Sequence, residues 1–179
     1  NVENLFDIED DPNTVKHEWT PRGERFYNEE IYWLKQNNLA KVVAAIGSDF
    51  TGTTPTFVGL AEIENYKVLS DLASRAPLKD SEYSIVHYDS PDLRGIDVAL
   101  LYKKNEFTLT NSVSHRLDIY DARNKERKIR TRDQLAVSGI LDGEKIYLIV
   151  HHWPSRSGGE ARSLPNRMKA VELNRKIVD

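Results

Sequence analysis

The sequence predicts an α/β protein, with α+β character, in which helices flank a mixed β-sheet. Apolar residues recur at helical spacing early in the chain and again near its end, and between these regions they alternate as in strands. The predicted order is helix, strand, helix, a series of strands, and helix. This order favours a sheet with helices on one face, and it leaves apolar side chains on the other face without cover from this chain.

The first predicted helix follows a long polar loop. Residues 8–27 contain prolines and a glycine, which favour a loop, and loops of this length are often functional. Asn28 is a suitable N-cap for a helix that runs to about Ile46, and Gly47 stands where a C-terminal stop is expected. The apolar residues predicted to form the buried face of this helix are Ile31, Leu34, Val42 and Ile46.

Two further helices are predicted. A short one covers residues 65–73, directly after the first strand, and the last runs from about Ser163 to Val178. Pro165 then lies in the first turn of the last helix, where its missing N–H is tolerated. The apolar residues predicted for the inner face of this helix are Leu164, Met168, Val171 and Ile177.

The predicted strands lie between these helices. The first, Thr56–Ile63, is an almost continuous apolar run, which indicates burial on both faces. Asp142-Gly143 separates the last two strands and is a strong signal for a tight turn. The remaining runs that alternate or are apolar at strand length are 83–87, 96–102, 107–113, 130–141 and 145–152.

The composition is that of one soluble globular domain over residues 1–179. A chain of 179 residues is long enough to bury a substantial core, and no repeat or composition break marks a second domain. No run approaches the ~20 apolar residues of a membrane span. The 0 cysteines exclude disulfides and thiolate metal sites but leave the compartment open, export from a bacterial cell included.

The charge of the chain is only weakly informative overall. Its net charge of −3 argues against a strong nonspecific grip on nucleic acid. Residues 123–132 are nevertheless rich in Lys and Arg. Two interpretations of this run remain open, a solvated loop with a strand edge or a rim that faces phosphate.

Candidate metal ligands lie at the end of the first strand. Glu62 ends an apolar run, and Glu64 and Asn65 follow at once. A hard cation such as Mg²⁺ binds one or two carboxylates, amide oxygens and several retained waters. The amide of Asn1 is a candidate for such an oxygen, although a surface glutamate and a frayed terminus are the alternatives.

Paired histidines end the last predicted strand. Neighbouring residues of a strand point to opposite faces, so one ring of His151 and His152 is expected to reach a cleft. Histidine titrates near neutral pH, which suits a general acid or base. Ser155 and Arg156 follow, with two glycines, and an arginine fork together with backbone N–H groups suits phosphate.

A third segment opens a central strand with opposite charges. Asp97 stands at the start of an apolar run, so burial is expected and a partner is needed. Arg94 is the nearest candidate in sequence. A structural ion pair and an active-site role, orienting the histidine or binding phosphate, are both open.

Taken together, these segments resemble the endonuclease/exonuclease/phosphatase superfamily, which has the deoxyribonuclease-I-like fold. The resemblance rests on residues 1–6, 60–65, 94–102 and 150–156, in that order along nearly the whole chain. It implies that Glu62 and Asn1 hold the metal and that His152 is the active-site histidine. Relatives often have asparagine where this chain has His151.

The resemblance also implies a larger fold than this chain provides. The family fold is a four-layer α/β/β/α sandwich, and its second half carries an Asp-x-Asn motif, a later aspartate and a closing Asp-His pair. These motifs are not found after Arg156, and the chain opens on Asn1 inside a motif. We therefore expect an N-terminal half-domain, truncated at the C-terminus, whose missing half is a partner.

The expected activity is hydrolysis of phosphoester bonds with Mg²⁺ or Mn²⁺, and a nuclease is the favoured class of enzyme. The residues expected to carry it are His152 and Asp97 in catalysis, and Arg94, His151, Ser155 and Arg156 on phosphate. Nucleic acid is favoured over phospholipid or inositol phosphate. Some DNA-cutting relatives have arginine two positions after the metal glutamate, and Glu64 here argues against that mode. A phosphatase, a phospholipase-type relative and a non-catalytic binding module are the alternatives.

Overall fold

The structure is a computed structural model, and it describes residues 1–121, 124 and 126–179. Arg123 and Lys125 of the predicted basic run lie outside the described residues. The helices are α1 Glu29–Ala45, α2 Ser48–Thr51, α3 Tyr66–Ala73 and α4 Glu160–Val178. The strands are β1 Phe57–Ile63, β2 Tyr83–His87, β3 Asp97–Lys103, β4 Phe107–His115, β5 Ile119–Tyr120, β6 Lys128–Ile129, β7 Gln134–Leu141 and β8 Glu144–Val150.

The predicted α/β class with flanking helices is confirmed, and the strands are divided between separate sheets. One sheet has the order β1-β3-β2 and another β4-β7-β8, while β5 and β6 form a small hairpin. All pairs between named strands in the described part of the chain are antiparallel. A parallel bridge from Leu5 to Ile63 is the one mixed feature recorded there. The four-layer sandwich remains a prediction.

The helices α1 and α3 cover one face of the first sheet. Leu60 and Leu101 from that sheet share a buried cluster with Val68 and Leu72 of α3. The prediction for the buried face of α1 is wrong, because its four residues are 41–61% exposed. The residues that α1 buries are Tyr32, Gln36, Ala40 and Val43.

The other face of the first sheet packs against the second sheet. Val98 and Leu100 of β3 share a buried cluster with Phe107 and Val137 of the second sheet. The sequence predicted that this face has no cover within the chain. That prediction is wrong, because strands of the same chain cover it. On the far side of the second sheet Tyr147 is 68% exposed, so apolar surface remains there.

The last helix begins earlier than the sequence indicates. Gly158 and Gly159 have positive φ, and α4 starts immediately after them, which places Pro165 in its second turn. The predicted inner face is wrong here too, since Leu164, Met168 and Val171 are 38–47% exposed. Ala170 is the apolar contact instead, packed with residues around the β5–β6 hairpin. None of the described helices combines the length and apolarity needed to cross a bilayer.

Candidate active site

Glu62 occupies a bulge at the end of β1. Ala61 pairs with Val98 and Ile63 pairs with Asp97, so Glu62 is an extra residue in the ladder. Its φ is 67°, a left-handed value that is uncommon for a residue with a side chain. Its carbonyl oxygen accepts a hydrogen bond of 2.8 Å from the N–H of Leu5, which helps to hold this backbone. Strained backbone of this kind is concentrated at functional sites.

The start of the chain lies beside this bulge. The N–H of Val2 donates to the carbonyl of Ala61 at 3.0 Å, and the N–H of Asn4 donates to Oε2 of Glu62 at 3.1 Å. Asn1 is exposed, and its Oδ1 accepts a hydrogen bond from the N–H of Glu3 at 2.7 Å. An amide oxygen has two lone pairs, so one of them remains for another partner.

His152 faces Glu62 from the second sheet. Its Nε2 lies 3.7 Å from Oε1 of Glu62, which is too far for a direct hydrogen bond but close enough to share a ligand. Its Nδ1 is buried and has no hydrogen-bond partner among the described residues. Burial, and then the positive charge of Arg132, lower the pKa of His152 against an opposing effect of Glu62. The neutral imidazole is therefore favoured over the imidazolium.

The paired histidines differ from their predicted setting. β8 ends at Val150, so His151 and His152 follow the strand instead of ending it. His151 is exposed and stacks on Trp153, with ring centroids 4.8 Å apart. It does not share the contact of His152 with Glu62.

Arg132 is a site residue that the sequence did not single out. It is 9% exposed, and its Nη1 lies 3.1 Å from Oδ2 of Asp92. Its Nη2 donates to the carbonyls of His152 and Trp153 at 3.0 and 3.2 Å. Arg132 thus fixes the backbone that carries the histidine. The signal in the sequence was the basic run, of which Arg132 is the last residue.

Arg94 and Asp97 do not pair with each other. Nε of Arg94 lies 3.7 Å from Oδ1 of Asp92, and its side chain is 45% exposed. Asp97 is buried and accepts from the N–H of Ser90 at 2.9 Å, while Nε2 of His87 lies 3.1 Å from its other oxygen. Gly95, with φ of 68°, turns the chain between the two charges. Asp97 therefore lies against His87, not against His152.

His87, Asp89 and Asp97 form a second group of possible metal ligands. One ligand atom from each lies within 4.8 Å of the others. The imidazole of His87 is buried between two carboxylates, with Nε2 at 3.1 Å from Asp97 and Nδ1 at 4.0 Å from Asp89. A hydrogen bond between Nε2 of His87 and Asp97 accounts for the shorter contact without a metal, and Asp97 is already engaged by Ser90.

Ser155 and Arg156 lie on an exposed segment between β8 and α4. Oγ of Ser155 accepts a hydrogen bond from the N–H of Ser157 at 3.4 Å, so the hydroxyl has a partner within its own loop. Arg156 makes no ion pair with any described residue. Neither side chain is brought against Glu62, so their predicted contacts to phosphate remain a proposal.

Glu64 faces away from the site. Its side chain is 8% exposed and contacts Nζ of Lys16, which also lies 3.0 Å from Oδ1 of Asp7. Oε2 of Glu64 accepts from the N–H of Asp7 at 2.7 Å. Burial raises the pKa of Glu64 to about 7, against the lowering effect of Lys16. Glu64 therefore anchors the loop that contains Lys16 under the bulge.

Comparison with known proteins identifies the family. Residues 1–179 match the model of the Endonuclease/Exonuclease/phosphatase family, so the chain belongs to this family and the predicted resemblance is confirmed. Among curated proteins there is no match.

One solved structure resembles the chain in fold, and a second matches it with a lower score. A humanized TDP2 of D. rerio with 14 mutations has a TM-score of 0.51 and 17% identity, over 79% of this chain and 49% of that one. The human Nocturnin catalytic domain with a bound sulfate anion has a TM-score of 0.42 and 18% identity, over 79% of this chain and 53% of that one. The chain spans about half the length of either protein.

Proposed function

We propose that the protein hydrolyses phosphoester bonds with a divalent cation, Mg²⁺ or Mn²⁺. The observation that carries this proposal is the approach of Glu62 and His152, 3.7 Å apart at one end of the molecule. A strained bulge presents the carboxylate, and a buried arginine fixes the histidine. This pairing of an anionic ligand with a neutral imidazole, in a member of this family, suits attack on a phosphoester.

The residues present fit a hard cation. The carboxylate of Glu62 is 13% exposed, and it accepts one hydrogen bond in the described structure, so ligand positions remain on it. The amide oxygen of Asn1 would be the second ligand, since the start of the chain runs beside the bulge. When bound, the cation supplies polarisation of a phosphoryl oxygen and stabilisation of the leaving oxygen.

His152 supplies the proton chemistry in this proposal. A neutral imidazole can accept or donate a proton at Nε2, the nitrogen that faces Glu62. Arg132 holds the histidine backbone and disfavours the imidazolium. Arg94 is close enough to lower the pKa of His152 as well, which supports a contact of Arg94 with the same phosphate. His151, Ser155 and Arg156 are the further proposed contacts, while Asp97 would act only through His87.

Nucleic acid is the substrate class that we favour. Glu64 is buried and contacts Lys16, so it does not contact a bound strand directly. The net charge of −3 suits a modest affinity set by a few arginines near the site. A panel of plasmid DNA, RNA, sphingomyelin and inositol phosphates, each assayed with Mg²⁺, tests this choice. Turnover of only a lipid or inositol phosphate would contradict it.

Glu62→Gln is the direct test of the metal ligand. We expect Mg²⁺-dependent turnover to fall by at least about 100-fold, because even a lost outer-shell partner of a ligand costs 10–100-fold. The matched control is Glu144→Gln, which neutralises an exposed glutamate at the first position of β8. Turnover of purified protein is measured with Mg²⁺, Mn²⁺ and EDTA. Turnover of Glu62→Gln at the wild-type rate would exclude Glu62 as a ligand.

A further inference from the structure

A polar cleft is lined in part by Arg132 and by the segment that follows His152. Its volume is ≈ 530 Å³, and it lies between the β5–β6 hairpin, this segment and the start of α4. Three arginines line it, together with serine hydroxyls. The residues used below are Arg130, Arg132, Arg162, Ser155 and Ser157.

The cleft carries more positive than negative charge, although one of its arginines, Arg132, is paired with the buried Asp92. Nε of Arg130 donates to the carbonyl of Pro91 at 2.9 Å, and neither Arg130 nor Arg162 forms an ion pair with a described residue. Arg132 is about nine-tenths buried, and its Nε has no hydrogen-bond partner among the described residues. One acid, Asp121, also lines the cleft, and Arg127 lies 4.0 Å from its carboxylate.

The start of α4 borders the cleft through Arg162 and Ser163. Gly158 and Gly159 have φ of 77° and 97°, and Gly159 is the N-cap of α4 without a capping side chain. The first N–H groups of this 19-residue helix therefore have no partner from a capping side chain, and a helix N-terminus favours anions. The side chain of Arg162 lies over Gly158, where an added Cβ would meet its Cδ at 2.8 Å.

We propose that this cleft binds a second phosphate group of the substrate, next to the phosphate that is hydrolysed. The inference rests on the proposed function, and it narrows the substrate class to molecules with at least two phosphates, for which a polynucleotide strand is the fitting chemistry. Arg132 joins the two places, because it lines the cleft and also holds the carbonyl of His152. Ser155, three residues after His152, is part of the cleft wall.

Binding of an oligonucleotide under conditions without turnover tests whether this cleft holds a phosphate group. The probe is a fluorescein-labelled single-stranded oligonucleotide in EDTA, with the dissociation constant taken from anisotropy. We expect Arg162→Gln and Arg130→Gln each to weaken binding about tenfold, the effect of losing one hydrogen bond from a charged donor. Arg167→Gln removes the same charge from α4 outside the cleft and should weaken binding less than twofold. Equal effects of all three variants would overturn the proposal.

Turnover of a small substrate separates this proposal from the proposed function. Bis(p-nitrophenyl) phosphate has one phosphate, so Arg162→Gln and Arg130→Gln should hydrolyse it at the wild-type rate with Mg²⁺, while their turnover of the oligonucleotide falls. An equal loss on both substrates would overturn the second subsite. Failure of the wild-type protein to hydrolyse either substrate would refute the proposed function, and the binding comparison would still decide the cleft.

Discussion

At the scale of single residues, the molecule places buried charges directly beneath its candidate site. Lys16 is 2% exposed and contacts both Asp7 and Glu64, the residue two positions after Glu62. Hydrogen bonds from Asn65 and Lys16 hold the pKa of Asp7 below its ordinary value although burial acts in the opposite direction. Burial prevails at Glu64, whose pKa rises to about 7. The two carboxylates therefore respond to different ranges of pH.

The raised pKa of Glu64 predicts a specific dependence of stability on pH. Between about pH 4.5 and 7 the folded protein holds a proton on Glu64 that the unfolded chain has lost. This contribution is complete below pH 4.5 and is lost as the pH rises through 7. The stability of the wild type relative to Glu64→Gln should thus fall by on the order of 2 kcal/mol from pH 5 to pH 8.

Urea unfolding in EDTA at the two pH values measures this difference. The same comparison for Glu144→Gln, an exposed glutamate, should give no trend with pH. A constant difference between the wild type and Glu64→Gln would show that Lys16 neutralises the effect of burial.

The buried pair of Arg132 and Asp92 gives a second prediction at this scale. Arg132→Met leaves the carboxylate of Asp92 buried, with its remaining partner Arg94 half exposed. We expect a loss of about 3 kcal/mol in the free energy of unfolding, because breaking one side of a buried pair is costly. Arg175→Met, in an exposed pair with Asp179, should cost less than about 1 kcal/mol. Urea unfolding measures both, and equal costs would contradict the buried pair.

At the scale of elements, the packing of the two sheets depends on where glycine stands in the strands. A Cβ on Gly139 of β7 would come within 2.2 Å of the ring of Phe107 and 2.4 Å of the carbonyl of Thr108. A Cβ on Gly59 of β1 would meet only the methyl groups of Val150, at an ordinary 3.5 Å. The two positions therefore make a matched pair.

Gly139→Ala should destabilise the protein by about 2 kcal/mol, because the buried ring of Phe107 cannot move without disturbing the core. Gly59→Ala should be neutral or stabilise by up to about 1 kcal/mol, since alanine restricts the unfolded chain more than glycine does. Thermal unfolding followed by circular dichroism tests both variants. A loss of stability in Gly59→Ala as large as that in Gly139→Ala would contradict the described packing of the sheets.

The sequence predicted the positions of helices and strands better than it predicted which of their faces are buried. The strand predicted over Thr56–Ile63 begins one residue later, because periodicity is a local property that the fold preserves. The buried face of α1 was missed because Gln36 buries its amide by donating to Tyr32 and to the carbonyl of Val68. One of these partners, Val68, lies 32 positions away in the chain. Arg132 could not be recognised from the sequence for the same reason, because its ion-pair partner Asp92 lies 40 positions away.

At the scale of the whole molecule, the proposed cation site predicts that cation binding and folding are coupled. A cation that binds only the folded state stabilises it by roughly 1.4 kcal/mol at ten times its Kd. For a chain of this size that corresponds to a rise in Tm of about 3–5 °C. We expect this rise on titration of the wild type with Mg²⁺, and no rise for Glu62→Gln. Equal shifts for both proteins would assign the cation to another place, such as the group around His87.

The bulge at Glu62 has one more consequence. Leu60 and Ile63 both pack on the helix side of the sheet, while Ala61 packs between the sheets. The side chains of β1 therefore alternate between the two faces directly from Ala61 to Ile63, and Glu62 is left out of the alternation. Glu62 is thus an extra residue that belongs to neither buried cluster. The one described hydrogen bond of its side chain comes from the N–H of Asn4, so the packing of the core places little demand on the side chain at this position.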